Sequence, residues 1–140
     1  MKIDYRNKEI INGNVIQRIH DARVYNIEYS CEKNELKFFL IGGFFGENFE
    51  VIFKNVLSVS MNDNANFFES IINGDIICMS LNERAAENIP IMVYFNKIPL
   101  EHIVDVEIYM SNAVLNIACE EIEFITKETE LSRRLAEETQ

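Results

Sequence analysis

The chain has 140 residues, 48% of them apolar, and a formal net charge of −10. This length fits a single domain, and the composition is that of a globular protein rather than a disordered chain. No segment approaches the roughly 18 consecutive apolar residues that cross a bilayer, and the first residues lack the apolar stretch of a signal peptide. We therefore expect one cytoplasmic domain over residues 1–140, with its core in about residues 20–125 and no membrane partner.

The negative charge is concentrated toward the C-terminal end. Residues 1–60 have no net charge, residues 61–100 have a net charge of −3, and residues 101–140 have −7. Nucleic-acid binding depends on Lys and Arg that neutralise phosphates, whereas a negative surface attracts basic proteins. The charge therefore disfavours a nucleic-acid partner and favours a basic protein. An alternative is that the acidity only keeps the domain in solution.

Alternation of apolar and polar residues predicts the first strands, in residues 22–61. A strand with one buried face shows this period of two. The apolar phases are Tyr25, Ile27, Tyr29 and Cys31, then Leu36, Phe38 and Leu40, then Phe49, Val51, Phe53, Leu57, Val59 and Met61. The third phase is long for one strand. Lys54 and Asn55 in its middle predict a bend or bulge that passes the chain from one sheet edge to the next.

A helical pattern follows Met61. Its apolar positions are Phe67, Phe68, Ile71 and Ile72. An Asn-rich capping sequence precedes them, and Gly74 follows as a stop signal. This pattern predicts a short central helix over about residues 64–73.

Alternation returns in the second half of the chain. The apolar phases are Ile77, Met79 and Leu81, then Ile91, Val93 and Phe95, then Val104, Val106, Ile108 and Met110, then Leu115, Ile117 and Cys119, and finally Ile122 and Phe124. The last change of phase requires a bulge near Glu120 and Glu121, or an end to the pairing there. Residues 127–140 carry few apolar side chains and are predicted to form a surface helix or a frayed tail.

These elements together predict a mainly β (α+β) fold. We expect antiparallel meander sheets that form a small sandwich or a partly open barrel, with one short central helix and a C-terminal helix or tail. Cys31, Cys78 and Cys119 are too far apart for a Cys-x-x-Cys motif, so we interpret them as reduced. Cys31 and Cys119 lie on apolar strand phases and are predicted to be small core residues.

Few residues stand out as candidates for catalysis. His20 precedes Asp21, and a carboxylate-oriented imidazole can act as a general base, but no Ser or Cys partner is identifiable. An anchoring role at the start of the first strand, through backbone hydrogen bonds, is the favoured interpretation. His20 and His102 are too far apart in sequence to suggest a metal site, and no cofactor motif is present. The sequence thus predicts no catalytic, metal or cofactor-binding residues.

Two segments carry a family resemblance. They are residues 20–29, with the sequence HDARVYNIEY, and residues 115–124, with the sequence LNIACEEIEF; FKNVL at residues 53–57 lies between them. With these segments the chain resembles a group of small bacterial β-rich domains that includes immunity proteins of polymorphic toxin systems. The resemblance spans about residues 20–125 and its motifs are structural. It implies a β-rich fold and protein binding, and it implies no catalytic residues.

We therefore hypothesise a non-enzymatic protein-binding domain, an immunity protein that neutralises a basic toxin by direct association. The predicted partner-binding residues are the acids Asp105, Glu107, Glu120, Glu121 and Glu123. One alternative is a homo-oligomeric, for example homodimeric, structural domain that associates through a sheet edge or an apolar face. Another is an enzyme, which would need His20 or His102 in a cleft with a carboxylate and a nucleophile.

Overall fold

The computed structural model describes residues 1–12, 18–43, 46–61, 74–81, 99–111, 113–127, 133–134 and 137–138. The described strands are β1 (Lys2–Ile3), β2 (Arg23–Ser30), β3 (Glu35–Ile41), β4 (Asn48–Lys54), β5 (Ser58–Met61), β6 (Ile76–Leu81), β7 (Val104–Met110), β8 (Val114–Cys119) and β9 (Glu121–Lys127). Two short 3-10 helices, Lys8–Asn12 and Leu100–His102, accompany them. Among the described residues, no helix is both long and apolar enough to cross a membrane.

The strands form two antiparallel sheets, which confirms the mainly β prediction. Sheet A has the strand order β1-β9-β4-β3-β2, and sheet B has the order β5-β8-β7-β6. Both sheets contribute to one cluster of buried apolar side chains. Phe38 and Phe53 of sheet A meet edge to face there, with ring centroids 5.3 Å apart. Each sheet therefore has one face in the core and one outer face.

Two strand pairs pass from one sheet to the other at the same corner. In sheet A, β4 pairs with β9, and in sheet B their chain neighbours β5 and β8 pair. Three residues separate Lys54 from Ser58, but two separate Ala118 from Glu121, so the corner contains one extra residue on the β4–β5 side. Asn55 has a positive φ of 53° at this bend. The predicted bend at Lys54 and Asn55 and the predicted end of pairing near Glu120 are both confirmed.

The prediction for β2 is partly wrong. A bulge between Val24 and Asn26 shifts the register with β3 and turns Tyr25 outward, where it is 48% exposed. Tyr29, near the end of the strand, is equally exposed, and its hydroxyl donates a hydrogen bond to Asn34 Oδ1 (2.8 Å). Cys31 lies in the turn after the strand and is exposed rather than in the core. A prediction from a strict period of two in the sequence cannot locate a bulge of this type.

Other predictions have mixed outcomes. Cys119 is buried as predicted, whereas Val59 is 39% exposed because β5 is an edge strand. The predicted helix over residues 64–73 and the predicted strand around Val93 lie outside the described residues. So does most of the predicted C-terminal helix, of which only residues 133–134 and 137–138 are described. The described residues therefore support neither helix.

Candidate protein-binding surface

The outer face of sheet B is a mostly polar surface, which we call the B face. Inward residues of β7 and β8 are buried, so the alternate residues point outward together with their cross-strand neighbours on β5 and β6. The B face consists of Ser58, Ser60, Cys78, Ser80, Asp105, Glu107, Tyr109, Val114, Asn116 and Ala118, of which Ala118 is buried. None of the residues in strands β5 to β8 is Lys, Arg or His. The carboxylates of this face therefore lack a basic neighbour from the four strands that build it.

Asp105 is the most perturbed acid of the B face. It is half-buried, and its Oδ1 atom is inaccessible to solvent and has no hydrogen-bond partner. Burial, with a smaller effect from the charge of Glu107, raises the pKa of Asp105 from 3.8 to about 6. The ionised form of Asp105 thus has a cost in free energy, because among the described residues neither a hydrogen bond to Oδ1 nor a neighbouring basic group compensates its charge.

Glu107 follows two positions later on β7, on the same face and about 7 Å along the strand. The hydroxyl of Tyr109 forms a hydrogen bond with Glu107, which is the main reason that the pKa of Tyr109 is raised. Tyr109 is itself 39% exposed. Across the ladder, Cys78 lies opposite Tyr109 and is exposed, while Ser80 lies opposite Glu107. An aromatic ring and small polar groups therefore flank the two carboxylates.

Beneath the B face, Cys119 is inert. Its thiol points into the core and donates to the carbonyl oxygen of Val104, with Sγ and O 3.6 Å apart. Burial raises the pKa of the Cys119 thiol far above its ordinary range. Since the thiolate is the reactive form, this cysteine has a packing role and no nucleophilic role.

The outer face of sheet A, which we call the A face, is different because its charges alternate. It carries the bases Lys2, Arg23, Lys37, Lys54 and Lys127 and the acids Glu28, Glu35, Glu50, Glu121 and Glu123. Opposite charges face each other across neighbouring strands, as in Glu28 with Lys37. Cross-strand pairs of opposite charge stabilise a sheet. The five bases and five acids leave the A face without net charge.

Glu121 and Glu123 belong to this compensated face. Lys54 Nζ lies 2.7 Å from Glu123 Oε2 and 3.4 Å from Glu121 Oε2. The hydrogen bond from Lys54 lowers the pKa of Glu123, and the same contact raises the pKa of Lys54. These two acids therefore share one basic partner, which lies 67 or more positions away in sequence.

Glu120 lies at the corner between the sheets, at the edge of a cleft of about 430 Å³. Asn55 Nδ2 donates to Glu120 Oε1 (3.2 Å). The other lining residues are Asp4, Tyr5, Arg6, Lys54, His102 and Glu121. Tyr5 stacks on His102 with ring centroids 4.0 Å apart, and the Arg6 guanidinium carbon lies 5.8 Å from the centre of the same tyrosine ring. The cleft thus brings together bases and acids in comparable number, and the described residues that line it include no Ser, Thr or Cys.

The charged groups of this cleft are largely engaged with one another. Arg6 Nη2 donates to Asp4 Oδ2 (2.6 Å), and this hydrogen bond lowers the pKa of Asp4 and raises that of Arg6. The stacking of Tyr5 on His102 occupies one face of the tyrosine ring, and Arg6 lies over the ring as well. This arrangement holds the segment after β1 against the corner.

The pair His20 and Asp21 does not form the hydrogen bond that an oriented general base requires. His20 Nδ1 lies 3.8 Å from Asp21 Oδ1 and has no hydrogen-bond partner. The backbone N–H of Asp21 instead donates to the carbonyl oxygen of Ile76 (2.8 Å). The start of β2 is thus anchored to β6 by the backbone next to His20 and not by the Nδ1 atom of its imidazole. Among the described residues, no three His, Cys, Asp or Glu side chains are grouped to hold a metal ion.

The structure therefore separates the five predicted partner-binding acids into three places. Asp105 and Glu107 lie on the B face, Glu121 and Glu123 on the A face, and Glu120 at the corner. Sequence reasoning missed Tyr109 and Cys78 as neighbours of the first pair. Tyr109 follows Glu107 on the same face of β7, whereas Cys78 comes close only through the β6–β7 register, which places it opposite Tyr109. The sequence did contain a signal for this cluster, because the aromatic residue Tyr109 has the same strand phase as Asp105 and Glu107.

Comparisons with known proteins give a structural likeness only. No protein-family model matches the chain, and no curated protein matches it. Among solved structures, the chain is similar to an uncharacterised protein from Neisseria gonorrhoeae, with a TM-score of 0.42 and 13% sequence identity. The match covers 89% of this chain and 96% of that chain.

Proposed function

We propose that the protein is a non-enzymatic binding domain that associates with a basic protein partner through the B face. The observation that supports this proposal is the uncompensated pair Asp105 and Glu107, in strands that contain no basic residue. A Lys or Arg side chain of a partner that reaches Glu107 would supply a counter-charge for the pair, and the field of an acidic face would speed its approach. The exposed ring of Tyr109 adds the kind of aromatic contact that is enriched in protein interfaces.

In cellular terms, the proposed partner is a toxin, and the domain acts as its immunity protein. The support for this step is the resemblance of residues 20–29, 53–57 and 115–124 to a group of β-rich domains with immunity-protein members. Toxins that act on nucleic acid carry basic surfaces, to which the acidity of the chain is complementary. The protein would then act in the cytoplasm by occluding the toxin, with no cofactor.

Two matched double variants test the surface. Asp105→Asn with Glu107→Gln, and Glu121→Gln with Glu123→Gln, each remove two charges at the same spacing on one strand. Tagged wild type and both variants are used to capture proteins from native lysate at low and moderate salt, and the eluted proteins are identified by mass spectrometry. We expect one basic protein to be retained by the wild type and the A-face variant, and lost by the B-face variant.

The captured protein is then tested for toxicity. Expression of it in a host cell should arrest growth, and co-expression of this chain should restore growth. Equal capture by all three forms would exclude the B face as the interface. If the captured protein is not toxic, the proposal of a protein-binding domain stands, and the proposed role as an immunity protein is excluded.

A second candidate function is self-association, and the exposure of β2 favours it. This eight-residue edge strand carries Tyr25 and Tyr29, each 48% exposed. Edge strands with exposed aromatic residues can pair with a second copy. Light scattering after size-exclusion chromatography should then show a dimer that Tyr25→Lys dissociates. A monomer at all concentrations would exclude this function.

A further inference from the structure

A second cavity lies beside the last residues of β9, at one end of sheet A. It has a volume of about 290 Å³, and the residues that line it are Met1, Arg18, Ile19, Phe49, Phe124 and Thr126. We call it the end cavity. None of its lining residues belongs to the B face, so a ligand in this cavity would not occupy the surface proposed above.

The end cavity has an apolar floor and a polar rim. Ile19, Phe49 and Phe124 are each at most 7% exposed, and Phe49 pairs across the β4–β9 ladder with Thr126, which is exposed. Arg18 is exposed beside them. A concave site with apolar walls and a few polar groups is the usual form of a small-molecule site.

Gly43 allows two walls of the cavity to approach each other. A Cβ atom at this position would lie 2.5 Å from the carbonyl oxygen of Arg18 and 2.6 Å from Cε2 of Phe49. The N–H of Gly43 donates to the carbonyl oxygen of Glu47 (3.0 Å). A larger residue at this position would therefore displace Arg18 from Phe49.

Arg18 gives the rim a positive charge. Its Nε atom lies 3.1 Å from Glu47 Oε1, in an ion pair whose arginine side chain is 47% exposed and whose glutamate side chain is 8% exposed. The contact lacks the geometry of a hydrogen bond to Oε1. The pair thus presents its guanidinium to solvent and keeps its carboxylate inside. A guanidinium has five N–H donors and can serve more than one acceptor.

Thr126 adds neutral donors to the rim. Phe124, two residues earlier, exchanges both backbone hydrogen bonds with Met1, at 2.8 Å each. The backbone groups of Thr126 point to the same edge of β9, where no described residue pairs with them. Its N–H and its hydroxyl can therefore donate to a ligand. Among the described residues that line the end cavity, none is Asp or Glu.

We propose that the end cavity binds a small carboxylate with an apolar body, of the size of a short aliphatic acid. The hydrocarbon part would lie against Phe49 and Phe124, and the carboxylate would accept hydrogen bonds from Arg18 and Thr126. Hydrogen bonds between a guanidinium and a carboxylate are among the strongest in proteins. This site goes beyond the proposed function, and its failure would leave the B face as the candidate interface.

The test compares three probes of the same chain length: hexanoate, hexan-1-ol and hexylammonium. Backbone amide NMR shifts of the full chain locate each probe and measure its affinity. We expect hexanoate to shift Ile19, Phe49, Phe124 and Thr126, and to bind about tenfold more tightly than hexan-1-ol, because a hydrogen bond to a charged group is lost in the alcohol. Hexylammonium should bind most weakly, since its charge repels that of Arg18.

Variants separate the cavity from its charge. Thr126→Leu fills the cavity from an exposed position and should abolish binding of hexanoate. Arg18→Gln with Glu47→Gln removes both charges of the ion pair, so no buried carboxylate is left alone, and it should bind hexanoate and hexan-1-ol equally. Arg6→Gln, at the cleft of the corner, is the control and should keep the tenfold preference.

Three outcomes overturn the inference. The first is equal affinity of the wild type for hexanoate and hexan-1-ol, or tighter binding of hexylammonium. The second is hexanoate shifts that persist in Thr126→Leu. The third is the absence of hexanoate shifts at Phe49 and Phe124 in the wild type. Capture of a basic protein by the B face is measured separately, so either proposal can fail without the other.

Discussion

The A face and the B face are built by the same alternation of strand residues, but they differ in whether their acids have basic neighbours. On the A face, acids and bases oppose each other across the ladder, and Lys54 alone contacts both Glu121 and Glu123. On the B face, the strands contain no base, and Asp105 keeps a buried oxygen without a partner. The pKa of Glu123 is lowered, whereas the pKa of Asp105 is raised.

This difference shows that net charge alone does not mark an interaction surface. A compensated face satisfies its own charges and gains little from a charged partner. On a face with an uncompensated carboxylate, the free energy of unfolding is lower than it would be with a counter-charge. A partner that supplies the counter-charge offsets this loss. The uncompensated face is therefore the better candidate interface, even though the A face carries more acids.

Removal of packing on the A face should have the largest effect. Ile52 points outward on this face and is still only 8% exposed, because charged neighbours of the ladder, Lys37 and Glu123, flank it. Ile52→Ala should lower the free energy of unfolding by about 2 kcal/mol. The B-face control Ser80→Ala should change it by less than about 0.5 kcal/mol. Urea unfolding measures both, and equal losses would contradict the packing role assigned to Ile52.

Asp105→Asn should stabilise the fold near neutral pH. The native pKa of Asp105 is about 6, above its unfolded value, so its stabilising contribution is complete below about pH 4 and is lost as pH rises through 6. With allowance for solvent screening at this half-buried site, we expect a gain of about 1–2 kcal/mol at pH 7.5 and none at pH 3.5.

Glu123→Gln is the matched control on the A face, and its effect on the free energy of unfolding should have the opposite sign. Its carboxyl has a lowered pKa because Lys54 donates to it, so its contribution is present above the unfolded pKa and is lost as pH falls through the native one. The variant should therefore be slightly less stable at pH 7.5 and unchanged in acid. Urea unfolding over this pH range measures both variants. A loss of stability in Asp105→Asn at pH 7.5 would contradict the account of the B face.

Lys54→Met should convert part of the A face into an uncompensated one. Without the ammonium, Glu121 and Glu123 lie near each other as like charges, and we expect a loss of about 0.5–1 kcal/mol at low salt. Salt should reduce the loss, because the repulsion is screened. Lys33→Met, in the turn between β2 and β3, is the control and should have no such effect.

Much of the fold could be predicted from the sequence because most strands keep a strict period of two. Leu36, Phe38 and Leu40 of β3 are each at most 3% exposed, as their phase predicts. The prediction is wrong where a single extra residue changes the phase. The bulge after Val24 exposes Tyr25, and only its pairing partners on β3 reveal it.

Less of the candidate site could be predicted, for a physical reason. The pairs Asp105 with Glu107 and Glu121 with Glu123 have the same spacing and the same alternation with apolar residues. What distinguishes them is the cross-strand neighbour, which is Lys54 for the second pair and uncharged Ala118 or Asn116 for the first. Such pairing depends on strand order and register, and composition does not determine either.

The smallest expected effect concerns Tyr109. Its pKa is raised chiefly by the hydrogen bond to the Glu107 carboxylate, since loss of the phenolic proton would break that bond and place two negative charges together. Glu107→Gln removes the charge and should move the pKa of Tyr109 down toward its ordinary value. It should also lower the pKa of Asp105, for which Glu107 is the second cause after burial. Site-resolved carbon NMR titrations measure both, with Glu28→Gln on the A face as the control. If Asp105 shifts and Tyr109 does not, the two carboxylates still interact but Tyr109 is not part of the B-face cluster.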